Sequence, residues 1–169
     1  MHEFLVFRHA PTAHNRGRVF QGQIDVPPLP LGEIAPIRTG DEATDGYVLL
    51  TSPLQRAVVA AHALFPRATP VLDNRLLERS VGAWEGLTHD EVIAGWPDSF
   101  MDGKLNALAD PPGGESVLAL LTRCHDFLSS LDRYDGEVFA VTHNGWIRAA
   151  LLLTGKSLLP RSSPIPYRS

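Results

Sequence analysis

Cysteine is nearly absent. Cys124 is the only thiol in 169 residues, which excludes an internal disulfide framework and a thiolate zinc cage and favours a reducing, cytoplasmic setting. Basic charge is not in excess either. Fifteen Lys and Arg against 19 Asp and Glu leave a net charge of −4, so there is no general electrostatic case for nucleic acid or an anionic membrane. No apolar run reaches the roughly 18 to 20 residues of a membrane span; the longest cluster, Ala149 to Leu153, is far shorter. The opening Met1-His2-Glu3 has no basic stretch followed by a long apolar one, so no signal peptide is expected. Internal repeats and low-complexity blocks are also missing.

What is present is an ordinary globular balance, 44% apolar and 20% charged, which excludes fibrous and largely disordered classes. A chain of this size buries about 69% of its unfolded surface, enough for one core and too little for two. A single domain over residues 1–169 is expected, with a loop-rich insertion at about 82–114.

Glu3 to Phe7 and Tyr47 to Thr51 read as buried strands. Thr69 to Asp73 reads as a short third strand, and Glu137 to Thr142 as a fourth. Ser52 followed by Pro53 reads as an N-cap with proline at the first helical position, opening a helix to about Phe65. A helix over Leu31 to Ala43 is weakened by Pro36 and Gly40. A short helix is expected near Thr88 to Trp96. Ser116 opens the clearest helix: Val117, Leu120, Leu121, Cys124, Phe127, Leu128 and Leu131 form one apolar stripe. Cys124 on that stripe reads as a core thiol. The last helix, Gly145 to Leu153, ends at Gly155. Strands alternating with helices imply an α/β domain, with a mostly parallel sheet and helices on both faces.

In such sheets, ligands bind outside the carboxyl ends of the strands. Three strand ends carry polar groups there: Arg8-His9, Thr51-Ser52, and Thr142-His143-Asn144. Arg56 falls in the first turn of the helix after Ser52, where free N–H groups and the positive dipole end already favour an anion. Two histidines, two arginines and a helix start at one rim point to phosphate.

The blocks Arg8-His9-Ala10-Pro11-Thr12-Ala13-His14-Asn15, Ser52-Pro53-Leu54-Gln55-Arg56-Ala57, Leu76-Leu77-Glu78 with Gly82-Ala83-Trp84-Glu85-Gly86, Gly113-Gly114-Glu115-Ser116 and Val141-Thr142-His143-Asn144-Gly145 occur in that order. On them the chain resembles the histidine phosphatase superfamily, of the phosphoglycerate-mutase-like fold, over roughly residues 3 to 155. It departs in Ala10 and Asn144, which stand where the family has glycine, and in Ala60, where threonine is frequent.

The resemblance implies a metal-independent phosphomonoester phosphatase. His9 would be the nucleophile, forming a phosphohistidine. Arg8, Arg56 and His143 would surround the transferring group, and Glu78 would be the general acid and base. Asn15, Gln21 and the backbone N–H of Asn144 would add phosphate donors. No cofactor is required, because a fixed cationic cage can replace Mg²⁺. The substrate would be a small phosphate ester, with neither nucleic acid nor membrane as a partner, and a homodimer is the favoured assembly. A phosphoglycerate-type mutase and a non-catalytic phospho-ligand binder are the competing readings.

Glu85 and Glu115 are acidic alternatives to Glu78. His14 lies near the site in sequence. Arg18 and Arg38 read as solvated surface, and His2, His62, His89 and His125 as scattered. Trp84, Trp96 and Trp146 read as packing residues. None of these histidines has the spacing of a metal motif.

Overall fold

The computed structural model describes residues 4–32, 35–37, 40, 45–106 and 108–155. Four parallel strands form the main sheet in the order β1-β6-β2-β3: β1 is Phe4–Arg8, β2 Tyr47–Thr51, β3 Val71–Leu72 and β6 Glu137–Thr142. The central strand β6 pairs with β1 on one side and β2 on the other, so that Leu5, Phe139 and Leu49 stand in one row across the sheet. All four strands therefore end at the same edge.

Period-two alternation sends neighbouring residues to opposite faces, and both faces are apolar. Leu5, Phe7, Tyr47, Leu49, Phe139 and Val141 pack against helix α2, Gln55–Leu64, through Ala57, Ala60, Ala61 and Leu64. Three alanines let the helix lie close. Phe65, just past its end, wedges its ring 4.9 Å from that of Phe139. On the other face Val6, Leu50, Val138 and Ala140 meet helix α4 (Val117–Ser129) through Leu120, Cys124 and Phe127. They also meet helix α5 (Asn144–Thr154) through Trp146, Ala149 and Ala150. The stripe expected on α4 is thus the packed one. Cys124 is fully buried, and burial pushes its thiol up to about 12, which makes it an inert core group.

The helix ends obey local chemistry with one correction. Ser116 caps α4 by accepting from Ala119 N–H, and Gly155 closes α5 in the left-handed conformation. Helix α3, His89–Gly95, begins with a reciprocal box between Thr88 and Glu91. Ser52, however, is not the cap of α2. The helix starts later, with Leu54 in the cap position and no side-chain bond of its own there. Asp25 supplies the missing acceptor, taking the Gln55 N–H at 2.8 Å, while the Ser52 hydroxyl is engaged elsewhere.

Two smaller elements complete the described fold. Short helix α1, Ala13–Arg16, follows β1 directly. A small antiparallel hairpin joins β4 (Phe100–Met101) to β5 (Lys104–Leu105), inside the segment read as mostly loop. The helix expected at Leu31 to Ala43 and the tail after Gly155 fall wholly or largely outside the described residues. Among the described residues no helix is long and apolar enough to cross a membrane.

Candidate active site

The carboxyl edge of the sheet gathers the polar groups singled out in the sequence. His9 follows β1, and its N–H donates to Thr142 C=O on β6 at 2.8 Å. His143 follows β6. The two rings lie 5.0 Å apart, centre to centre, inclined at 42°. Both are buried, His143 completely.

Burial disfavours the charged imidazole. It lowers the His9 pKa to about 3, with the cations of Arg56 and Arg8 adding to the effect. His143 is also driven well below its ordinary value, by burial first and then by His9 and the same arginines. Both rings are neutral at pH 7. The Nδ1 of His9 lies 2.6 Å from the Ala10 carbonyl oxygen. A carbonyl only accepts, so Nδ1 carries the proton and Nε2 keeps a free lone pair.

Arg56 sits in the first turn of α2 and is 1% exposed. Its guanidinium donates to Gly22 C=O at 2.8 Å and to Ile24 C=O at 2.7 Å. Its Nε has no partner among the described residues. Two carbonyls in a loop far away in sequence therefore aim the fork. Arg8 ends β1 opposite Thr142, close enough to act on both histidines.

Glu78 comes from the loop after β3. Its Oε1 accepts from Arg79 N–H at 2.9 Å and its Oε2 from Gly145 N–H at 3.2 Å. The carboxylate thereby supplies the N-terminal cap that His143 does not give α5. Burial pushes the pKa of Glu78 up; the backbone donors and the Arg56 charge oppose it but do not overcome it.

The supporting shell is polar and specific. The loop that holds Arg56 also holds Glu78, since Gln23 Nε2 donates to Glu78 C=O at 2.9 Å. Glu85 fastens that loop to the next by accepting from Gln23 N–H and Val81 N–H. Glu115 pairs with Arg123 at 2.7 Å, and Arg123 in turn donates to the carbonyls of Arg75 and Leu77 beside Glu78. Glu85 and Glu115 are thus clamps around the loop that carries Glu78.

Asn15 and Gln21 meet through Thr12, whose buried hydroxyl lies 3.0 Å from Asn15 Oδ1 and 2.9 Å from Gln21 Oε1. That leaves the NH₂ end of each amide as its donor. Asn144 is exposed at the first position of α5. Arg18 is exposed, and Arg38 lies outside the described residues. Trp84 packs on Phe20 and Trp96, and Trp146 donates to Arg75 C=O at 2.7 Å. Both are packing residues, as expected. His89 lies parallel to the Phe20 ring. Among the described residues no three metal-ligating side chains converge.

Sequence reasoning overlooked the Gly22 and Ile24 carbonyls, the Glu85 clamp and the contact of Ser52 with His143. Main-chain acceptors leave no trace in residue identity. Only the glycine at 22 gives a hint: it has positive φ and lies against Glu85 where a Cβ would have to go.

A parallel sheet whose carboxyl edge presents two neutral histidines, two arginines and a buried carboxyl defines an enzyme that handles phosphate esters. The chain matches the model of the histidine phosphatase superfamily (branch 1) over residues 4–160, and it belongs to that superfamily. It is 32% identical over 158 residues to the glucosyl-3-phosphoglycerate phosphatase of Mycolicibacterium vanbaalenii, spanning 86% of this chain and 70% of that one. It is 28% identical to the putative phosphoserine phosphatase 2 of Hydrogenobacter thermophilus, over 94% and 81% of the two chains. Among solved structures, a mycobacterial glucosyl-3-phosphoglycerate phosphatase in complex with VO3 superposes with a TM-score of 0.72 at 27% identity, covering 94% of this chain and 84% of that one. The phosphoglycerate mutase of Thermus thermophilus gives 0.68 at 30%, covering 93% and 87%. The fold is accordingly phosphoglycerate-mutase-like, and the protein is a phosphatase of this superfamily.

Proposed function

We propose that this phosphatase works through a phosphohistidine on His9, with Glu78 as general acid and base. The observation that carries the reading is the His9 ring itself: buried, neutral, and bonded through Nδ1 to Ala10, so that Nε2 holds a lone pair beside His143.

Nε2 attacks phosphorus in line, forming an N–P bond as the ester P–O bond breaks. The leaving oxygen takes the proton of Glu78. Its raised pKa supports its starting protonated, as a general acid must. Glu78, now ionised, takes a proton from water as the water oxygen attacks phosphorus. The N–P bond breaks, phosphate leaves, and both side chains return to their first state. Arg8, Arg56 and His143 stabilise the equatorial oxygens; phosphoryl transfer asks mainly for positioning and charge. Asn15, Gln21 and the Asn144 N–H are further donors to the phosphate.

The substrate is a small phosphorylated metabolite. The names of the mycobacterial relatives make glucosyl-3-phosphoglycerate the first compound to assay, and phosphoserine the second. The net charge argues against nucleic acid, and the single buried thiol suits the cytoplasm. A homodimer is the assembly to test by sedimentation. The likeness to a phosphoglycerate mutase supports a mutase as the second reading, for which a phosphoglycerate would yield its isomer faster than free phosphate.

His9→Ala tests the main reading. Hydrolysis of an aryl phosphate should fall to background, and an acid-labile, base-stable phosphoenzyme should form on the wild type only. Hydrolysis by the variant at the wild-type rate would overturn the role of His9.

A further inference from the structure

Ser52 is completely buried and belongs to neither the nucleophile nor the phosphate cage. Its hydroxyl lies 2.8 Å from His143 Nε2. Its other contact is with a donor, the Leu54 N–H at 3.4 Å. Among the described residues His143 Nε2 is thus the one acceptor within reach of the Ser52 proton. The rest of the residue is held in place: Ser52 N–H donates to Val141 C=O at 2.9 Å, and its C=O accepts from the Thr51 hydroxyl at 3.2 Å. The other ring nitrogen, His143 Nδ1, is buried without a partner among the described residues.

We infer that Ser52 is a positioning residue that donates its hydroxyl proton to His143 Nε2, fixing the Nδ1–H tautomer, so that His143 offers an N–H to the transferring phosphoryl group while remaining neutral. A neutral imidazole has one donor and one acceptor. If Nε2 accepts from Ser52, Nδ1 must carry the proton. The reverse arrangement would leave the Ser52 proton without an acceptor in a buried place, which costs free energy. It would also turn a lone pair of His143 toward an anion. A ring whose cationic form burial disfavours can serve a phosphate only as a neutral donor, so which nitrogen holds the proton decides whether it helps or repels.

The two histidines then share the Nδ1–H tautomer but turn opposite nitrogens to the phosphoryl group. The Ala10 carbonyl accepts from His9 Nδ1–H and so leaves Nε2 free to attack. The Ser52 hydroxyl does the converse at His143. Nucleophile and donor stand side by side without a charge on either.

This inference rests on His143 being a phosphoryl ligand, but its test does not depend on turnover. The ¹⁵N resonances of the histidine rings, observed through their ring protons, report the tautomer of the resting enzyme directly. Wild-type protein should show His143 as Nδ1–H. In Ser52→Ala that signature should be lost or averaged, and kcat for an aryl phosphate should drop by about 10-fold or more, approaching the loss of a preorganised donor, with KM changed much less. Ser52→Thr, which keeps the hydroxyl, should restore the tautomer. A wild-type His143 in the Nε2–H form overturns the inference and needs no variant to be folded. So does a Ser52→Ala protein that retains the Nδ1–H form. Either result, together with an inactive His9→Ala, would leave the phosphohistidine reading standing.

Discussion

The carboxyl of Glu78 fills the place that a Cβ on Gly145 would take. An added methyl would meet Glu78 Oε1, a flexible carboxyl end and not fixed backbone. Gly145→Ala should therefore fold almost normally while moving the proposed acid off its cap. We expect kcat to fall about 10- to 100-fold, within the range of general acid–base contributions, with the thermal midpoint little changed. A variant with wild-type kcat would show that Glu78 has no fixed position to lose.

Glu78→Gln removes the proton donor and keeps the shape. Its cost should depend on the leaving group. An alkyl phosphate, whose departing oxygen must be protonated, should lose about 10²- to 10⁴-fold. p-Nitrophenyl phosphate, whose departing oxygen is already a stable anion, should lose much less. Equal losses for both esters would count against a role in protonating the leaving group.

Arg56→Lys keeps the charge and loses the fork. Lysine is a point charge and cannot span the carbonyls of Gly22 and Ile24 while keeping a further N–H for phosphate. We expect about 10²- to 10³-fold lower kcat/KM and weaker inhibition by vanadate. Retention of more than half the activity would mean that only the charge matters at this position.

The acid limb can be signed from His9. In the folded chain its pKa is about 3, against an ordinary value of 6.5. Between those limits the unfolded chain takes up a proton that the folded chain refuses. Stability present above pH 6.5 is therefore lost as the pH falls toward 3, by about 1.4 kcal/mol for each pH unit crossed between the two values; His143 acts in the same direction. His9→Gln should show a flatter dependence of thermal midpoint on pH between 7 and 4. Activity, for its part, should survive below the usual range of histidine titration, because the nucleophile stays unprotonated there. A rate that halves near pH 6.5 through His9 protonation would contradict this.

Asp25→Ala removes an acceptor from the first turn of α2. The helix that carries Arg56 should lose about 1 kcal/mol of capping energy, seen as a lower midpoint in urea. An unchanged midpoint would show that water replaces the carboxylate without loss.

Chain order alone discloses His9 but not the role of Asp25, and the difference is physical. The strands β2 and β6 and the stripe of α4 were legible because apolar spacing in a buried sheet or helix is dictated by burial itself. The residues Arg8, His9, Arg56, Glu78 and His143 were legible from strand ends, a helix start and the motif blocks they occupy. Ser52 was misread as a cap because serine before proline fits that role locally. What decided otherwise was competition from two distant residues: Asp25 took over the helix end and His143 took the hydroxyl. The hairpin at β4 and β5 was missed because two-residue strands have no period to detect. The clamps made by Glu85 and Arg123 depend on main-chain atoms, which any residue possesses.

The placement of β6 between β1 and β2 has a consequence for biosynthesis. His9 and Arg56 leave the ribosome early, but the strand that holds their elements together arrives only with residues 137–142. Until then β1 has no partner strand and β2 has only the two residues of β3, and the pocket has neither its second imidazole nor the helix end that Glu78 closes. A nascent or prematurely terminated chain that lacks β6 thus lacks the strand that joins β1 to β2 and, with it, the juxtaposition of His9 and His143.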